Sequence, residues 1–121
     1  MKARLRQVIV YVSNMERSIA FYRDTLGLPL RSESPGWSEF DVDGLTLALH
    51  ISRTPGSAPE AMATGQAELS LEVSDLDQAH TTSQSQGIAV NDPMLLENLG
   101  KRIVTLRDPD GLAITLVEAT G

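Results

Sequence analysis

The spacing of apolar residues changes character several times in the first fifty positions. Val8, Val10 and Val12 alternate with Gln7, Ile9 and Tyr11, and a period of two predicts a strand over 7–12 with two distinct faces. The period then lengthens. Met15, Ile19, Tyr22 and Leu26 recur at helical spacing, Ser13 and Glu16 resemble a capping box, and Gly27 supplies the stop. Shorter strand-like runs follow at 28–32, 37–42 and 45–52, the last two joined by Asp43-Gly44, a pair suited to a tight hairpin.

The pattern then repeats. Val12-Ser13-Asn14-Met15 returns as Val73-Ser74-Asp75-Leu76, 61 positions later. Asp43-Gly44-Leu45-Thr46-Leu47-Ala48-Leu49 returns as Asp110-Gly111-Leu112-Ala113-Ile114-Thr115-Leu116, 67 positions later. Two matches in one order at nearly equal spacing mark an internal duplication with a short insertion in the second copy. That copy predicts a strand over 68–73, a helix opened by Ser74 and Asp77 and ending near Gly87, and strands near 88–90, 102–107 and 112–118. Asp108-Pro109-Asp110-Gly111 makes its last turn, and residues 53–65, with Pro55, Gly56, Pro59 and Gly65, have linker composition. The expected fold is α+β: one domain, 1–121, of two tandem βαβββ modules, 1–53 and 66–121, joined by 54–65, with the mixed sheet curving around a cleft.

Strand parity sorts the side chains. Leu45, Leu47, Leu49, Leu69, Leu71, Ile114 and Leu116 share the parity that packs under the helices. The opposite face carries Gln7, Tyr11, Ala48, His50, Glu68, Glu72 and Thr115, and a face holding Gln, His and two Glu calls for solvent or a ligand.

Composition narrows the classes. The 121 residues are 41% hydrophobic and 21% charged, an ordinary globular balance. Net charge is −6 with basic residues scattered, which argues against a nucleic-acid partner. No apolar run approaches the roughly 20 residues of a membrane span. Met1-Lys2-Ala3-Arg4-Leu5-Arg6 leads straight into strand-like sequence without a signal-peptide cleavage pattern, and cysteine is absent. A cytoplasmic protein without disulfides, thiolate metal sites or a cysteine nucleophile is expected. Glycine-rich phosphate loops, nucleophile elbows and zinc motifs are missing as well.

The stretch Val12-Ser13-Asn14-Met15-Glu16-Arg17-Ser18-Ile19-Ala20-Phe21-Tyr22-Arg23-Asp24-Thr25-Leu26-Gly27-Leu28, with Asp108-Pro109-Asp110-Gly111 and its following strand, resembles the vicinal oxygen chelate superfamily. That group comprises glyoxalase I, extradiol dioxygenases, methylmalonyl-CoA epimerase, and the fosfomycin and bleomycin resistance proteins. The resemblance runs from Leu5 to Glu118 and identifies a fold, not a reaction. It implies metal ligands on the first and last strand of each copy, drawn from His, Gln and Glu. The matching positions are Gln7, Ala48, Glu68 and Thr115. Alanine cannot coordinate, and a threonine hydroxyl is a poor donor beside carboxylate and imidazole. Hence no cofactor is expected. A displaced divalent-metal site on Gln7, His50 and Glu68 is the alternative.

Among single residues Glu68 is the best candidate base, since a cleft would raise its pKa by desolvation; the competing picture is a solvated carboxylate at a strand start. Glu72 reads as a solvated partner of Arg107, and Arg107 itself as an anion-recognising group or an ordinary turn arginine. His50 offers ligand binding or proton shuttling against a structural role. Trp37 and Phe40 suit a flat ligand or, equally, a core anchor; Tyr11 and Thr115 offer hydrogen bonds on the same face. The resemblance thus implies a small-molecule protein, paired as a homodimer. It would bind an organic ligand without the standard metal, by sequestration or with Glu68 as base. The alternatives are a metal-dependent lyase, isomerase or dioxygenase with a rearranged site, and a drug-sequestering resistance protein, whose cationic drug the acidic balance would suit.

Overall fold

A computed structural model describes residues 1–52, 64–98 and 100–119; the linker expected at 54–65 falls almost wholly outside them. The chain divides into two compact units, Met1–Gly56 and Ser57–Gly121, each with one four-stranded mixed sheet.

In the first unit the order is β1 (Gln7–Val12), α1 (Met15–Ala20), β2 (Leu30–Ser32), β3 (Trp37–Val42) and β4 (Leu45–Ile51), and the strands lie as β1-β4-β3-β2. β1 runs parallel to β4 because the intervening helix returns the chain, while the remaining neighbours are antiparallel. The helix starts one residue later than Ser13 and Glu16 suggest: Asn14 Oδ1 accepts the Arg17 N–H at 3.0 Å. Asp75 does the same for Gln78 in the second unit, also at 3.0 Å. Asn and Asp cap at least as well as Ser, so the serine before each is displaced outward. After α1 the helix widens into a π-helical turn, Phe21–Thr25, with the Leu26 N–H reaching the Phe21 carbonyl at 3.1 Å. The β3–β4 hairpin turns on Asp43 (φ 52°) and Gly44 (φ 87°), both in the left-handed region that a two-residue turn of this hand demands. Tyr22 on the helical turn and Val12, Phe40 and Leu49 beneath it are all essentially without exposure, with the Tyr22 and Phe40 rings 6.0 Å apart.

The second unit repeats this frame with β5 (Leu69–Val73), α2 (Leu76–Ser85), β6 (Met94–Leu96), β7 (Lys101–Arg107) and β8 (Ala113–Glu118), ordered β5-β8-β7-β6. The strand expected near 88–90 is reduced to one bridge, Val90 to Leu106. Asn91 interrupts it by placing its Oδ1 2.7 Å from the Thr105 N–H, and pairing resumes at β6 against Ile103, Arg102 and Lys101. Met94 and Leu95 are exposed, so β6 carries no alternation to read. Asp108, 4% exposed, builds the last turn by accepting the Asp110 and Leu112 N–H groups at 2.9 and 2.8 Å. Arg102 ties α2 to the sheet, donating to Asp77 at 3.0 Å and to Glu118 at 2.8 Å. The guanidinium holds both carboxyls below their ordinary range.

Candidate functional site

Each sheet has one face under its helix and one turned away from it. In the first unit the register sets Trp37 beside His50, Glu39 beside Ala48 and Asp41 beside Thr46; on β1, Tyr11 adjoins His50, Ile9 adjoins Ala48 and Gln7 adjoins Thr46. These residues share the open face in three rows.

The first row is an aromatic ledge. The His50 ring meets Tyr11 edge-on at 5.5 Å and Trp37 edge-on at 5.6 Å, the arrangement that ring quadrupoles favour. Tyr11 is 62% exposed, so the ledge presents apolar area to solvent. Ser34 pins the backbone of Trp37, its Oγ accepting the Trp37 N–H at 3.2 Å and donating to the Trp37 carbonyl at 2.6 Å. The Nδ1 of His50 lies 2.8 Å from the Ile51 carbonyl oxygen. A carbonyl only accepts, so Nδ1 carries the proton and Nε2 is the open acceptor of the neutral ring.

A polar chain runs across the rows through Glu39. The Trp37 indole donates to Glu39 Oε2 at 2.8 Å, and Arg31 Nη2 donates to Glu39 Oε1 and Thr46 Oγ1, both at 2.7 Å. The indole N–H first, and Arg31 second, hold the Glu39 carboxyl below its usual value. Neither Glu39 nor Arg31 is evident from the strands alternation singles out. Extending the parity of β4 across the Asp43-Gly44 hairpin finds Glu39.

The structure brings Tyr11, Trp37 and His50 together on one face of the first unit. Phe40 is corrected: it lies on the helix side, fully buried against Tyr22, and cannot meet a ligand on the open face. It is three residues from Trp37, an odd step that reverses the face. Gln7 adjoins Thr46, which places it four residues, about 13 Å, along the sheet from His50. In the second unit Thr115 is flanked by Ser70 and Thr105, and Glu72 adjoins Val117. Glu68 is exposed, just before β5. Arg107 donates to the Gly111 carbonyl at 2.8 Å, so its recorded contact is the turn and not Glu72.

The residues do not fit the metal that the resemblance implies. Ala48 occupies one ligand position, and Gln7 and His50 are too far apart to share an ion without rearrangement. Among the described residues no three His, Asp or Glu side chains group as a metal would require. No helix among them is long and apolar enough to cross a membrane.

Comparison with known proteins gives the fold its place. The chain is 23% identical over 107 residues to the metallothiol transferase FosB of Lysinibacillus sphaericus, covering 88% of this chain and 76% of that protein. It superimposes on a glyoxalase/dioxygenase from Nostoc punctiforme with a TM-score of 0.83 at 24% identity, covering 98% and 92% of the two chains. A lactoylglutathione lyase from Agrobacterium tumefaciens gives 0.75 at 22%, covering 98% and 96%. Residues 4–116 match the family as a whole, and the chain belongs to the Glyoxalase/Bleomycin resistance protein/Dioxygenase superfamily.

Proposed function

We propose that this chain binds a small, flat organic molecule on the open face of its first sheet, without the metal set usual in its superfamily. One observation carries the reading: Tyr11, Trp37 and His50 form a contiguous aromatic ledge that faces away from the core, with Tyr11 mostly exposed. A side chain of this size left outside the core gains little for stability, whereas a planar ligand would cover it. Binding is the function, and sequestration its simplest form. Acid–base chemistry by Glu68 rests on strand parity alone, since that carboxylate is exposed just before β5.

Trp37 is the sole tryptophan, so intrinsic fluorescence reports from this face. Titration with a panel of planar aromatic compounds gives a saturable change in the wild type, weakened about tenfold in Tyr11→Ala. No saturable response from any member of the panel contradicts the proposal. A divalent-metal enzyme is the second reading, favoured by the likeness to a metallothiol transferase. Near-stoichiometric nickel, zinc, manganese or iron in the purified protein, lost in Glu68→Ala, establishes that reading instead.

A further inference from the structure

We infer that the ligand of this face carries an anionic group, received by Arg31 while its flat body lies on the ledge; the inference rests on the binding reading above. Arg31 reaches the open face from β2 and is held through one nitrogen only, Nη2, whose hydrogens go to Glu39 and Thr46 at 2.7 Å each. A guanidinium has five N–H groups in one plane. Three remain, one on Nε and two on Nη1, and no described residue accepts from them. The side chain is 47% exposed, so they face solvent, yet the group is anchored, so a ligand does not have to immobilise it.

The surroundings agree. Asp41, the carboxylate on the row beyond, is turned to the hairpin, its Oδ1 accepting the Gly44 N–H at 3.3 Å. Glu39 shares its charge between the Trp37 indole and Arg31. The same carboxylate therefore orients both the ring at one end of the face and the cation at the other, which makes it the positioning residue. Because Glu39 already balances much of the charge, the preference for an anion rests on directed N–H donors and is modest, about tenfold. One to two rows along the sheet separate ledge from guanidinium, about 7–13 Å, which suits a flat ring joined to an acid by a short spacer.

Isothermal titration of the full chain with 4-phenylbutyrate and 4-phenylbutyramide isolates the acid, since the two differ only at that end. The acid binds the wild type about tenfold tighter. Arg31→Gln abolishes the preference, bringing the acid's affinity down to that of the amide. Thr46→Val, which removes one of the guanidinium's two anchors, narrows the difference by less. Equal binding of acid and amide to the wild type, or a preference that survives in Arg31→Gln, overturns the anionic group and leaves the ledge standing. Binding of neither compound overturns both.

Discussion

The two sheets share a frame and differ in what they display. Register equates Tyr11, Trp37, Glu39 and His50 of the first unit with Glu72, Ile103, Thr105 and Val117 of the second. All five Phe, Tyr and Trp residues fall between positions 11 and 40. The first unit has seven basic residues against six acidic, the second three against ten. Under the helices the contrast vanishes: Leu47 and Leu49 answer to Ile114 and Leu116, all buried. Packing constrains one face of each sheet and leaves the other free to take on chemistry, and only the first unit has taken on rings.

The largest test of that contrast is stability. Phe40→Ala empties a fully buried site and costs about 3–5 kcal/mol in urea unfolding, while Tyr11→Ala on the open face costs less than about 1 kcal/mol. Equal losses would break the distinction between the faces. Next in size is ligand affinity: Trp37→Phe keeps a ring but loses the bond to Glu39, and weakens 4-phenylbutyrate by about 1 kcal/mol in the same calorimetry. Glu72→Ala leaves that affinity unchanged.

The capping residues sharpen the shared part of the comparison. Asn14→Ala and Asp75→Ala each cost about 1 kcal/mol in thermal or chemical unfolding, since both satisfy one N–H at the same helical position. A loss in only one of them would show that the repeat is not energetically equivalent. The smallest effect is in acid. Arg102 depresses Asp77 and Glu118 below ordinary values of 3.8 and 4.5. Their contribution is complete above those values and is lost as pH falls through the lower, native ones. Arg102→Gln therefore destabilises less at about pH 3 than at about pH 7, measured by urea unfolding at both. A cost independent of pH would assign Arg102 to packing alone.

The duplicated βαβββ frame was readable because burial on one side imposes a period of two on β1, β4, β5 and β8. Other features leave no such imprint on the sequence. The β6 strand is exposed at Met94 and Leu95, so its pairing with β7 leaves no alternation. Trp37 and Phe40 looked like one aromatic pair because they are close in sequence, yet the pleat sends them to opposite faces. Glu39 and Arg31 matter through lateral contacts between strands, which order along the chain does not encode. The positions of Tyr11 and His50 on one face were legible from parity; their ring contact required the parallel register of β1 and β4.

The central claim is that ligand binding belongs to the first sheet's open face. Amide and side-chain chemical shifts of the labelled protein, followed during titration with 4-phenylbutyrate, address it residue by residue. The account predicts saturable changes at Tyr11, Arg31, Trp37 and His50, with Glu72, Ile103 and Val117 unmoved. Changes centred on those three residues of the second sheet, or none on either, would contradict it.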